Sequence, residues 1–244
     1  MVNNFWKSKH YRDFASSIPS DIPAYKLVYQ LLNVKNKRVL DFGCFQGKSS
    51  YNILMNGAKE VLGVDNFTSN IKIAKNNYKN IHSKLNFKYV SDRSLIKGKF
   101  DSIAMTFVHP TISNIEGLDF QFKKLSKVLN KNGKIVILGL HPNSFNSKYK
   151  FLFYNHKINE LKDGQVFNNE IRNGKKIKFK DYYWSTNTLV ELIEKNDMKV
   201  EQVISLNEKI KGNIGKLLRK EISKIKWKDE WKAPLYKIIV ARKY

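Results

Sequence analysis

The chain has 244 residues, 42% hydrophobic and 27% charged, with one cysteine, Cys44. That composition suits one domain with a buried core, excludes an internal disulfide, and holds no run of about 20 apolar residues able to span a bilayer. The 45 Lys and Arg against 21 Asp and Glu give a net charge of +24, which fits an anionic partner (RNA, a membrane surface, an acidic carrier protein or a phosphorylated small molecule) or a coding bias toward Lys, Asn and Ile.

The chain opens on MVNNFWKSKHYRDF, in which Phe5, Trp6, His10, Tyr11 and Phe14 alternate with Lys7, Lys9 and Arg12. It lacks the apolar centre of a signal peptide, and with the lone cysteine this predicts a cytoplasmic protein. Such a segment can pack on the domain, cover a ligand or stack nucleobases. A helix is predicted over Ala24 to Leu32, with Tyr25, Leu27, Val28, Leu31 and Leu32 inward.

Arg38 to Asn66 follows as strand, glycine loop, helix, strand and acid. Val39-Leu40 is a short buried strand, Asp41 to Gly47 the loop, Lys48-Ser49-Ser50 the helix start, and Val61 to Val64 a second strand ending at Asp65. This is one mononucleotide-binding βαβ unit. Glycine lets the backbone turn sharply beside a ligand, and the acid at the tip of the second strand can accept ribose hydroxyls. Cys44, inside the loop, reads as a small filler and not a nucleophile, because no base neighbours it in sequence.

Further on, the pattern predicts a helix over Asn70 to Tyr78, a strand over Leu85 to Val90 ending in Ser91-Asp92-Arg93, and a strand over Phe100 to Phe107 running into Val108-His109-Pro110. A helix from Leu118 to Leu129 and a turn at Lys131 to Lys134 lead to a strand over Ile135 to Leu138, closed by His141-Pro142. His109 and His141 thus stand at the carboxyl edges of adjacent central strands, where ligands bind, and either can serve as a general base or as a turn residue. No metal-ligand spacing is present, so no metal is expected. Residues 143–184 break the alternation with an aromatic, basic stretch and a hairpin about Asn173-Gly174. Ser185 or Thr186 caps a helix over Leu189 to Glu194. A strand over Val200 to Leu206, an amphipathic helix carrying Lys209, Lys211, Lys216, Arg219, Lys220 and Lys224, and a strand over Leu235 to Ala241 end the chain.

The loop with Asp41, Gly43 and Gly47, the acid Asp65 and the passage KVLNKNGKIVI resemble class I S-adenosylmethionine-dependent methyltransferases, over nearly all of residues 36–244. The resemblance implies an α/β, Rossmann-like, seven-stranded, mostly parallel sheet with an antiparallel last strand, plus a cap insertion. It implies a single methyltransferase domain over 1–244, with an N-terminal helical lid at 1–36 and a substrate cap at 143–184. S-adenosyl-L-methionine would lie against Asp41, Gly43, Cys44, Gly47, Asp65, Asn66, Asp92, Arg93 and Phe107. Tyr11, Tyr154, Tyr183 and Trp184 would face the substrate, with His141 and His109 as bases. One departure is Phe45 in place of the family's middle glycine, where a side chain crowds the cofactor or retilts the loop. The reading is methyl transfer to an oxygen or nitrogen of a small molecule, free, anionic or carrier-bound. The Asn/Asp-Pro-Pro-Tyr/Phe tetrapeptide that would point to a base or amide nitrogen is missing after strand four. An RNA-binding protein or RNA methyltransferase, or a cofactor-binding protein without catalysis, are the alternatives.

Overall fold

The structure, a computed structural model, describes residues 21–81, 83–91, 96–142, 144, 152–154, 161–173, 175–224 and 231–244, with backbone alone at 21–22, 152–154 and 171–177. The elements run α1 (Asp21–Leu32), β1 (Arg38–Phe42), α2 (Lys48–Met55), β2 (Glu60–Asp65), α3 (Thr68–Asn77), β3 (Leu85–Tyr89), β4 (Phe100–Thr106), a 3-10 turn (His109–Thr111), α4 (Ile115–Val128) and β5 (Leu129–Leu140). They continue as β6 (Leu152–Tyr154), β7 (Val166–Asn173), β8 (Lys175–Tyr182), α5 (Thr186–Lys195), β9 (Met198–Leu206), α6 (Gly212–Ile222) and β10 (Tyr236–Lys243).

Seven strands form one sheet in the order β3-β2-β1-β4-β5-β10-β9. β1 lies at its centre because Val39 and Leu40 are both fully buried, one toward each face, as a strand covered on two sides requires. One face carries Val39, Ala104, Val136 and Ile238 against Leu27, Val28 and Leu32 of α1 and Leu218 of α6. The other carries Leu40, Ile103, Ile137 and Ile239 against Phe122 and Leu125 of α4 and Leu189 and Ile193 of α5. β10 enters antiparallel between β5 and β9, pairing Ile238 with Leu138 on one side and with Ile204 on the other. The Lys131–Lys134 passage is not a turn between helix and strand. It is an irregularity within β5, where Phe100 pairs with Leu129 but Ser102 with Lys134, and Asn132 takes φ 62.

A second, antiparallel sheet, β6-β7-β8, lies within the 143–184 insertion. A two-residue turn at Asn173-Gly174 would pair Arg172 with Lys175; instead Arg172 pairs with Lys176 and Phe167 with Asp181. The reason is burial. In this register the inward Phe167 and Asn169 share a face with Phe179 and Asp181, whereas a slip of one residue would bring the exposed Lys178 and Lys180 to that face. Asn169 donates to Asp181 Oδ2 at 2.8 Å, and Asp181 Oδ1 and Asn169 Oδ1 have no donor. Burial raises the Asp181 carboxyl to about 8, so it holds a proton at neutral pH, which turns one of these two acceptors into a donor. Among the described residues no helix is long and apolar enough to cross a membrane.

Candidate active site

The loop after β1 is shaped by its backbone. Gly43 and Cys44 both donate to Val64 O at 2.9 Å, and Gly47 donates to Cys44 O at 2.9 Å. Gly43 (φ 78), Phe45 (φ 50) and Gly47 (φ 86) are all left-handed. A Cβ on Gly43 would lie 2.3 Å from Val108 Cγ2, and one on Gly47 would lie 2.6 Å from Phe87 Cζ, so neither position tolerates a side chain. Phe45 keeps the glycine-like backbone at the cost of αL strain, about 1–2 kcal/mol, and its N–H donates to Asp65 Oδ2 at 3.0 Å. α2 then starts at Lys48 with no side-chain cap, leaving its first N–H groups directed at the loop.

Asp65 ends β2 with its carboxylate fixed by three donors: Phe45 N, Phe67 N at 2.9 Å, and Asn70 Nδ2 at 3.1 Å. It lines a cleft of about 1250 Å³ at the carboxyl edge of the sheet. Gly43, Cys44, Asn66 and Phe107 line the same cleft, so five of the residues expected at the cofactor border one space. Phe107 also takes a left-handed φ of 54, and its ring lies 6.4 Å from that of Tyr25 and 5.6 Å from that of Tyr236. Cys44 is 3% exposed and its thiol is pushed upward by burial and by Asp41 and Asp65, so it remains a thiol.

Asp41 and Gly47 do not line the cleft. Asp41 is fully buried beneath the loop, accepts from Ser50 Oγ at 2.6 Å, and is raised to about 6 by burial. Ser50 belongs to α2, so Asp41 ties that helix to β1 beneath the loop. Gly47 is required for its φ and for the Phe87 contact.

The structure also corrects the two histidines. His109 is 3% exposed, and its ring packs where a Cβ on Gly139 would fall, 2.2 Å from His109 Cε1. Burial, with Lys237, lowers it to about 3, and its Nδ1 has no partner. His141 turns the other way: its Nε2 is 2.9 Å from Ser205 Oγ on β9, and burial lowers it to about 4. Neither lines the cleft. Strand-edge position was visible in sequence, but the direction of each ring depended on Gly139 and Ser205.

Trp184 is 4% exposed and donates to Ile112 O at 3.0 Å, so it pins the end of the insertion to the 3-10 turn instead of facing a substrate. Tyr183 packs with Leu161 and Phe167. The residues of β8 that do reach the cleft are Lys180 and Tyr182, which sequence reasoning missed; a strict two-residue period counted from the buried Phe179 and Asp181 would have found them. Tyr25, Tyr29, Gln121 and Lys124 also line it. Tyr29 is raised to about 12 by burial, so its hydroxyl keeps its proton. Tyr11, Asp92 and Arg93 lie outside the described residues, as does the side chain of Tyr154.

A family model described as a methyltransferase domain matches residues 33–197, more than half of the chain. The chain belongs to that family, and with the glycine loop and Asp65 it is a class I, S-adenosylmethionine-dependent methyltransferase. The same fold occurs in a candidate S-adenosylmethionine-dependent methyltransferase from Listeria monocytogenes, at TM-score 0.65 and 18% identity over 92% of this chain and 98% of that one. It occurs in another from Clostridium acetobutylicum, at TM-score 0.65 and 14% identity over 96% and 99%, and in the CcbJ methyltransferase of Streptomyces caelestis, at TM-score 0.64 and 12% identity over 93% and 96%. No curated protein matches the chain at a significant level.

Proposed function

We propose that the chain transfers a methyl group to an oxygen or nitrogen of a small molecule held in this cleft. The observation that carries the reading is that Gly43, Cys44, Phe45, Asp65 and Phe107 line one cleft together with residues of α1 and β8. When bound, S-adenosylmethionine supplies an activated methyl group. The residues present fit it: protein donors fix the Asp65 carboxylate at the tip of β2, the position from which an acid accepts ribose hydroxyls, with the loop backbone beside it. Gly43, Cys44, Asn66 and Phe107 would complete that half of the site.

In this reading the 1–36 segment acts as a lid and 143–184 as a cap. Supporting it, Tyr25 and Tyr29 of α1 and Lys180 and Tyr182 of β8 line the cleft. The chain's part in the reaction is to orient the acceptor and exclude water, since no histidine among the described residues reaches the cleft. A protein of similar fold, the N-methyltransferase NodS of Bradyrhizobium japonicum (TM-score 0.59, 10% identity), keeps a nitrogen acceptor in view beside oxygen. The basic face of α6 is a weaker basis for RNA. Arg219 is committed to Glu208 O and Ile210 O, and Glu221 holds Lys26 and Lys224.

Isothermal calorimetry with S-adenosylhomocysteine tests this. Wild type should bind, and Asp65→Ala should bind more weakly by about 1–3 kcal/mol, the scale of a lost buried polar contact. No binding by a folded wild-type chain would overturn the reading.

A further inference from the structure

The donors that fix the Asp65 carboxylate are of two kinds. Phe45 N donates to Oδ2 at 3.0 Å and Phe67 N to Oδ1 at 2.9 Å; both are backbone groups, which any residue other than proline supplies. The donor at 3.1 Å, Asn70 Nδ2, is a side chain, and it meets Oδ1 as well. Asn70 stands third in α3, after Phe67, Thr68 and Ser69. At that position a Glu or Gln side chain ordinarily turns back to accept the N–H of the residue preceding the helix. Here Asp65 accepts that N–H, and Asn70 donates to the same oxygen. The acid at the tip of β2 is thereby built into the first turn of α3.

Packing does not explain the amide. α3 turns Asn70, Ile71 and Ala74 inward, and Asn70 is 1% exposed. An apolar side chain gains transfer free energy at such a position, whereas Asn70 buries an Oδ1 that has no donor. A buried acceptor without a partner lowers stability. Turning the amide over does not relieve this, because its oxygen would then face Asp65 Oδ1, acceptor against acceptor. Among the described residues its one side-chain hydrogen bond goes to the acid, and both residues line the cleft. The amide is thus costly to the fold and is spent on the orientation of Asp65.

We propose that Asn70 is a positioning residue for the cofactor, locking the Asp65 carboxylate in the orientation that receives the ribose hydroxyls. This rests on the methyl-transfer reading and adds to it a residue that acts through Asp65. The terminal torsion of a carboxylate is broad by nature, and a charge-assisted bond from a side chain itself held in the first turn of a helix narrows it. The orientation is then set before the ligand arrives, so less freedom is lost on binding.

The test is calorimetry with S-adenosylhomocysteine on the full chain, beside urea melts that establish folding. No binding by folded wild type overturns the methyl-transfer reading itself; where wild type binds, the proposal stands or falls on the variants alone. Asn70→Leu keeps the branched shape of the side chain and removes the donor, and it should weaken binding about five- to tenfold. Ile71→Val trims the next inward residue of α3 without touching Asp65 and should alter affinity less than about twofold. In the Asp65→Ala background, Asn70→Leu should add less than about a twofold loss, because the group it acts through is gone. A residue that only supports α3 would give the same loss in both backgrounds. Where Asn70→Leu does not fold, Asn70→Ala removes the same donor without added bulk and carries the same comparisons. Wild-type affinity in Asn70→Leu, equal losses in the two backgrounds, a loss in Ile71→Val as large as in Asn70→Leu, or failure of both variants at position 70 to fold overturns the proposal.

Discussion

The loop after β1 and the β7–β8 hairpin both contribute to one cleft, the hairpin through Lys180 and Tyr182, and are built on different principles. In the loop, backbone conformation determines the outcome: three left-handed positions, two of them glycine, and backbone donors that end on Val64 O, Cys44 O and the Asp65 carboxylate. In the hairpin, side-chain burial determines it. The ladder is regular, and which residues face the cleft follows from Phe167, Asn169, Phe179 and Asp181 being turned inward. The loop leaves little unpaired and strains its backbone, whereas the hairpin has an ordinary backbone and two buried acceptors that need a proton. A part held by local backbone geometry and a part held by packing can change independently, as a fold that hosts many functions requires.

The largest expected effect breaks the loop. Gly43→Ala combines αL strain with a Cβ set 2.3 Å from Val108 Cγ2 and should destabilise the chain by about 2–5 kcal/mol. Binding of S-adenosylhomocysteine should be lost with it. Denaturant melts and calorimetry check both, and an unaffected variant would mean that the loop has room to relax.

The next effect lies in the hairpin and depends on pH. Unfolded, Asp181 ionises near its ordinary 3.8, while in the fold it keeps its proton to about 8. Between these values unfolding releases a proton, so stability falls as pH rises, by at most about 1.4 kcal/mol per unit. Asp181→Asn has no proton to lose. Its stability relative to wild type should therefore grow by at least about 1 kcal/mol between pH 5 and pH 8 in urea melts. Parallel curves would mean that Asp181 is ionised in the fold, and the contrast between the two regions would weaken.

The smallest effect sharpens the comparison. Phe45→Gly relieves the left-handed strain but loosens the unfolded chain, and the two nearly cancel, leaving stability within about 1 kcal/mol of wild type. If the loop is a backbone device, affinity for S-adenosylhomocysteine should fall no more than about threefold, less than 1 kcal/mol. A larger loss would assign the Phe45 ring a direct part in the site.

The sequence by itself determined the order of the elements of the main sheet and the strand–loop–helix–strand unit that ends at Asp65. Val39-Leu40, the glycines at 43 and 47 and the acid at 65 are close in sequence, and the strand–turn–helix geometry they encode needs few distant partners. The sequence also contained the alternation that directs Lys180 and Tyr182 into the cleft, but not its phase, because Tyr182, Tyr183 and Trp184 are adjacent and alike in character. Only the tertiary structure decided that Asp41 faces Ser50 instead of the cleft, that His109 packs on Gly139 and His141 on Ser205, and that Lys124 stands buried beside Phe42. Each of these depends on a neighbour from another strand or helix. A side chain's direction and exposure are set by what packs against it, and a linear pattern specifies which residues share a face without specifying what that face meets.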